Sequence, residues 1–262
     1  MAQKIIQVDA FTDKAFTGNP AAVCLLEKAA DETWMQQVAM EMNLSETAFL
    51  FPIDNGYDLR WFTPKVEVEM CGHATLASAH VLYEDGHEPS DKTIRFQTLS
   101  GELRAVKRGK WIELDFPAIR LNEVSAPGEL LDGIGARPRT IRKGSFDYLV
   151  ELDSETAVRT LSPNFAALAR LEYRGLIVTA KSSTEEFDFI SRCFFPGLGI
   201  NEDPVTGSAH CALATFWADR LGKTEFLAYQ ASVRGGYVRV RVEGDRVHLG
   251  GQAITVMQAE LI

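Results

Sequence analysis

The chain has no uninterrupted apolar run long enough to cross a bilayer. Its opening residues, Met1-Ala2-Gln3-Lys4-Ile5-Ile6-Gln7-Val8-Asp9, lack the long apolar core of a signal peptide and alternate like a strand instead. Cysteine is scarce: Cys24, Cys71, Cys193 and Cys211 form no CxxC pair and no dense framework, so a reducing, cytoplasmic setting is expected. There is also no basic patch. Against 27 Lys and Arg stand 36 Asp and Glu, a net charge of −9, and this argues against nucleic acid as a partner. The same charge does not bar a small anion, because helix ends and single side chains act at shorter range than a screened global field. Low-complexity segments and long charge blocks are absent too. What remains is 46% hydrophobic and 24% charged residues, ample core material for a globular chain. A length of 262 residues predicts two domains.

Two stretches say nearly the same thing. Arg60-Trp61-Phe62-Thr63-Pro64 leads to Cys71-Gly72-His73-Ala74, and Arg192-Cys193-Phe194-Phe195-Pro196 leads to Asp203-Pro204-Val205-Thr206-Gly207-Ser208-Ala209. Each is an Arg-x-Phe-x-Pro strand, an acidic loop, then Gly-x-Ala and an Ala-rich apolar run. The Pro-to-Gly spacing is eight residues in the first copy and eleven in the second. The pattern predicts a duplicated strand–loop–helix unit. A helix N-terminus carries unpaired N–H groups and partial positive charge, so a pair of them suits an acidic small molecule.

Around these landmarks the pattern predicts a strand to about Phe11, a Gly18-Asn19-Pro20 turn, a second strand over Ala21–Leu26, and a helix over Asp31–Met42 with Asp31 as cap. Three strands at hairpin spacing follow the first Ala-rich helix: Ile94–Leu99, Glu102–Lys107 and Trp111–Phe116. Pro117 ends the run and marks a domain boundary. In the second half, Leu161–Leu171 reads as a helix with Ser162 as cap and Pro163 at its first position, and the second Ala-rich helix runs from about Gly207 to Leu221. Each half is thus many strands around one helix that is apolar on nearly all sides and therefore buried.

The candidate residues each carry a plain reading beside a chemical one. Glu46 precedes a strongly apolar strand, where burial disfavours its charge and raises its pKa towards a useful range; the plain reading is an edge carboxylate in water or paired with Arg60. His73 directly follows Gly72 at a helix start, although a lone His is commonly structural. Asp203-Pro204 makes a good N-cap, but a helix starting later, with Thr206 as cap, would free Asp203 for a ligand. Ser208 is either a ligand contact or a local hydrogen-bonder. Cys71 is either a thiol activated by the helix start or a small buried hydrophobe. His80 and His210 read as satisfied core residues. A zinc set of Cys71, His73, His210 and Cys211 has the wrong spacing, so no metal is expected.

Six ordered motifs carry a family resemblance: Gly18-Asn19-Pro20-Ala21-Ala22-Val23, Ser45-Glu46-Thr47-Ala48-Phe49, Arg60 to Pro64, Cys71-Gly72-His73-Ala74-Thr75, Asp115-Phe116-Pro117 and Glu202 to Ala209. Gly235-Gly236 and Gly250-Gly251-Gln252-Ala253 fit as well. Over essentially its whole length the chain resembles the phenazine-biosynthesis PhzF-like proteins. The resemblance implies an α+β fold of diaminopimelate-epimerase type: two similar domains, each a β-roll or barrel wrapped around a central α-helix, with the active site in the interdomain cleft. The expected domains are 1–117, with the C-terminal strand at about 254–262 as a candidate completion, and 118–253. Epimerases of this fold use two cysteines, one per repeat; here only Cys71 stands at such a place, and Asp203 falls near the other.

By the same resemblance Glu46, His73 and Asp203 are the expected catalytic residues, with Glu46 the acid/base. Asn19, Gly72, Gly207 and Ser208 are expected to bind substrate. No metal or organic cofactor is implied, and a homodimer is. The family's named activity is isomerisation of trans-2,3-dihydro-3-hydroxyanthranilate, but a fold does not settle a substrate. The expected function is a cofactor-independent isomerase for a small cyclic or unsaturated carboxylate. The alternatives are an amino-acid epimerase using Cys71 and a small-acid-binding relative without turnover.

Overall fold

Alternating side chains at the N-terminus make a strand, Gln3–Ala10, with Ile5, Ile6 and Val8 in the core. In this computed structural model residues 3–262 are described; Met1 and Ala2, the head of the predicted strand, lie outside the described residues. The chain divides into two compact units. One comprises the residues up to Asp115 together with Gly250–Ile262, the other Phe116–Leu249.

In the first unit, Gln3–Ala10 lies between two antiparallel neighbours, Asn19–Leu25 and the last strand, Ala253–Leu261. Asn19–Leu25 pairs parallel with Glu46–Ile53, which pairs antiparallel with Gly56–Phe62. Gly56–Phe62 then takes Glu67–Val68 antiparallel and Ile94–Thr98 parallel, and Ile94–Thr98 takes Gly101–Arg108 antiparallel. Parallel neighbours need a long crossover, and both crossovers here carry a helix. The first holds α1, Glu32–Met42, which starts where the Asp31 carboxylate accepts the Trp34 N–H and buries Met35, Val38 and Ala39. The second holds α2, Gly72–Glu84, which packs on the Gln3–Ala10, Asn19–Leu25, Glu46–Ile53 and Ala253–Leu261 strands. Every residue from His73 to Ala79 is buried, as expected for a helix without a polar face. Full burial of a side chain such as Leu76 or Leu82 is worth about 1.5–3 kcal/mol.

The second unit repeats that order of pairings. Asp147–Glu151 is parallel to Gly175–Lys181, which is antiparallel to Phe189–Phe195. Phe189–Phe195 takes Ile200–Asp203 antiparallel and Glu225–Gln230 parallel, and Glu225–Gln230 takes Gly236–Glu243 antiparallel. Ahead of these in the chain come a two-residue strand, Asn122–Glu123, the helix α3, Gly128–Ile134, and the strand Thr140–Lys143, which pairs with both Asn122–Glu123 and Asp147–Glu151. Two short helices, α4 (Glu155–Arg159) and α5 (Phe165–Leu168), fill its first crossover. The second crossover holds α6, Gly207–Leu221, closed by Gly222 in the left-handed region. A longer helix over Leu161–Leu171 capped by Ser162 does not form. Asn164 is the cap, its side-chain oxygen accepting the Ala167 N–H, and the helix starts beyond Pro163 and spans only four residues. The architecture is α+β, with each unit built of strands and one long buried helix.

Candidate active site

The repeated Arg-x-Phe-x-Pro motif explains how each long helix is presented. Arg60 forks onto Glu67, with Nε and Nη2 each 2.6 Å from a carboxylate oxygen, and Arg192 forks onto Glu202 at 2.7 and 2.9 Å. Each planar guanidinium thus pins the acidic segment that leads into its helix. Arg60 also meets Glu32. Its guanidinium is therefore engaged by Glu67 and Glu32.

Glu46 opens the strand whose next residues, Thr47 to Leu50, are buried, and its side chain is only 15% exposed. His73, in the first turn of α2, brings Nε2 to 3.2 Å from Glu46 Oε2, a close approach rather than an aligned hydrogen bond. The other ring nitrogen, Nδ1, lies 3.2 Å from Asn19 Nδ2 and 3.5 Å from Cys71 Sγ. Asn19 and Cys71 can donate to the ring, and the Pro20 carbonyl accepts from it. Burial pushes the His73 pKa down to about 3, and the opposing effect of the Pro20 carbonyl is smaller. The ring is therefore neutral near pH 7. Asn19 reaches it because the chain turns at Gly18, where φ is +69° and a Cβ would sit 2.3 Å from the Ala10 carbonyl oxygen. Only glycine fits there.

One ligand atom each from Glu46, Cys71 and His73 lies within 4.8 Å of the others. The sulfur lies near Nδ1 and the carboxylate near Nε2. His210 and Cys211 are occupied locally: His210 Nδ1 donates to the Thr206 carbonyl, and Cys211 Sγ to that of Gly207.

In the second unit the N-cap of α6 is Thr206, and Asp203 ends the preceding strand. Asp203 is therefore not the cap. Its carboxylate accepts the Thr206 hydroxyl, which leaves α6, like α2 with Cys71 as N-cap, without a side-chain cap hydrogen bond. Fully buried Gln230 holds this corner together: its oxygen accepts the Thr206 N–H at 2.9 Å, and its amide donates to the Asp203 carbonyl at 2.8 Å. Ser208 accepts a hydrogen bond from Arg174 Nη2 at 3.0 Å. Gln230, Arg174 and its partner Asp147 carry no local mark in the sequence, since their partners lie 24 to 34 residues away.

These two neighbourhoods gather the predicted residues into Asn19, Glu46, Gly72 and His73 in the first unit and Asp203, Gly207 and Ser208 in the second. The fold that carries them is that of the epimerases and racemases: a hydroxyproline epimerase from Agrobacterium vitis, solved with bound trans-4-hydroxy-L-proline, aligns over 99% of this chain and 91% of its own at TM-score 0.66 and 12% identity. Residues 8–259 match the family described as phenazine biosynthesis-like protein. A crystal structure of a PhzF family protein from Enterococcus faecalis is 42% identical, covers 100% of both chains and superposes at TM-score 0.95. An uncharacterized isomerase of Halalkalibacterium halodurans is 57% identical over 263 residues, which is 100% of this chain and 99% of that protein. The chain belongs to the phenazine biosynthesis-like, PhzF, family. Among the described residues no helix is long and apolar enough to cross a membrane.

Proposed function

We propose that the protein is a cofactor-independent isomerase that moves a proton between two carbons of a small cyclic or unsaturated carboxylate, with Glu46 as the acid/base. The observation that carries this reading is the Glu46–His73 contact: a largely buried carboxylate 3.2 Å from a ring nitrogen of a histidine that burial holds neutral. Glu46 takes a proton from a carbon next to the conjugated system, and the C–H electron pair enters that system and is spread to the carboxylate oxygens. The resulting carboxylic acid then returns the proton to a second carbon, so atoms and electrons balance with no other reactant. His73 is neutral throughout. It stands against the carboxylate as a fixed, uncharged neighbour rather than exchanging a proton itself.

Asn19 helps to hold the His73 ring in place. Gly72, Gly207, Asp203 and Ser208 take the role of substrate contacts, since neither long helix spends a side-chain cap on its own first turn. Two supports come from similar proteins: the Halalkalibacterium relative is named an isomerase, and the Agrobacterium fold neighbour holds a cyclic amino acid, itself a small carboxylate.

The Cys71 thiol beside His73 favours a second reading, epimerisation at an α-carbon. A two-base epimerase needs a second thiol at the equivalent helix start, and there α6 has Thr206. The first reading therefore stands ahead. The experiment is incubation with trans-2,3-dihydro-3-hydroxyanthranilate, itaconate and proline in deuterated water, following label at carbon by mass spectrometry. Label is expected in a cyclic or unsaturated acid, and the Glu46→Gln variant is expected to lose at least about 100-fold in rate, the scale of a general acid–base group. Turnover by Glu46→Gln at the wild-type rate would contradict the assignment.

A further inference from the structure

We infer that Arg174 is a positioning residue that fixes the Ser208 hydroxyl so that its proton points to a carboxylate oxygen of the substrate, an inference that rests on the proton-transfer reading above. Arg174 stands immediately before the Gly175–Lys181 strand, and its backbone N–H donates to the Phe146 carbonyl at 3.1 Å. Its guanidinium is held on several sides. Nε donates to Asp147 Oδ1 at 2.9 Å and Nη2 to Oδ2, and the Asp147 side chain is only 5% exposed. The guanidinium carbon lies 5.1 Å from the centroid of the Phe146 ring and 5.3 Å from that of Phe195. Gly175 makes room for the second of these rings, because a Cβ there would meet Phe195 at 2.2 Å.

A forked carboxylate pair flanked by two aromatic rings leaves the guanidinium little freedom. The same Nη2 reaches Ser208 Oγ at 3.0 Å. A serine hydroxyl has one donor and two lone pairs, and unaided it rotates to suit any neighbour. With one lone pair taken by a cation held in place, the O–H is turned away from Arg174 and presented to an acceptor. Donation from an ionised group also makes that O–H the stronger donor. Burial works against the Arg174 charge, but Asp147 more than offsets this and raises its pKa, so the cation persists at every working pH. The acceptor that suits such a donor, near a cation, is an anionic oxygen. Ser208 thus reads the carboxylate, and Arg174 sets its aim.

A purely structural Arg174 would support Asp147 alone and leave Ser208 indifferent to its identity. Arg174→Lys separates these roles: an ammonium still neutralises Asp147, so the unit folds, but a point charge cannot hold the fork and reach Ser208 together. The test is a double-mutant cycle of Arg174→Lys and Ser208→Ala, following deuterium incorporation against concentration of whichever of the three acids the wild type labels. KM is expected to rise at least about tenfold in each single variant, with kcat changed less than about threefold, because a charge-assisted hydrogen bond to bound substrate is lost. The double variant is expected to be no worse than Ser208→Ala alone. Additive losses, an unchanged KM in Arg174→Lys, or a loss confined to kcat would overturn the positioning role and leave the isomerase reading intact. A wild type that labels none of the acids would remove that reading, and the inference with it.

Discussion

His73 shows how far burial alone can set the chemistry of one side chain. Its pKa falls from an ordinary 6.5 to about 3, so the folded protein binds fewer protons than the unfolded chain between those values. Stability contributed by the neutral ring is complete above pH 6.5 and is lost progressively as pH falls towards 3. His210, pushed down to about 4 by burial, adds a smaller loss of the same sign. Urea midpoints measured from pH 7 to pH 4 are therefore expected to decline, and a His73→Gln variant to decline less steeply; parallel slopes would show that His73 already titrates normally. At this scale the sequence marks residues that stand beside local landmarks. Glu46 abuts the apolar run Thr47–Phe51, and His73 follows Gly72. Arg174 abuts no landmark, because what distinguishes it is Asp147, 27 residues away, and Ser208, 34 away.

Elements were legible where a cap or a period is written locally. Asp31 starts α1 by accepting the Trp34 N–H, and Gly222 stops α6. Legibility fails where two good signals compete. Ser162-Pro163 reads as a helix start, yet the cap is Asn164, whose side-chain oxygen accepts the Ala167 N–H. The short strands Ile200–Asp203 and Thr140–Lys143 are too brief to carry a period of their own, although each pairs with a strand close by in sequence; contacts from far along the chain are marked no better. The helix α4 depends on one such remote contact. Glu155 accepts from the Ser183 N–H at 2.6 Å and hydroxyl at 2.8 Å, and from Arg159 Nε at 2.7 Å. Burial alone would raise its pKa, but the Ser183 and Arg159 donors together bring it down to about 2. That stabilisation is present above about pH 4.5 and disappears as pH falls towards 2. Glu155→Gln is expected to cost about 1.5–3 kcal/mol at pH 7 by chemical denaturation, with the difference from wild type shrinking below pH 4.5.

For the molecule as a whole, two similar α+β units were readable from the doubled Arg-x-Phe-x-Pro motif and the two Ala-rich runs. The shared pairing order follows from the same local grammar, an antiparallel turn and then a helical crossover, written twice. The first unit is not contiguous, however: Ala253–Leu261 pairs along the full length of Gln3–Ala10. Deletion of residues 253–262 would expose that strand's backbone N–H and C=O groups on one side and uncover part of α2. The melting temperature is expected to fall by about 10 °C or more, since each kcal/mol is worth about 2–4 °C in a chain of this size. A truncated protein that melts with the wild type would show the terminal strand to be dispensable.

That closing strand also sets an order on folding. Gln3–Ala10 takes its outer neighbour from beyond the second unit, so that pairing closes a long loop, whereas Phe116–Leu249 is contiguous and can form without waiting for it. Until that loop closes, Gln3–Ala10 carries an open β-edge, and it is in this interval that chaperone binding or misassembly between neighbouring chains would occur.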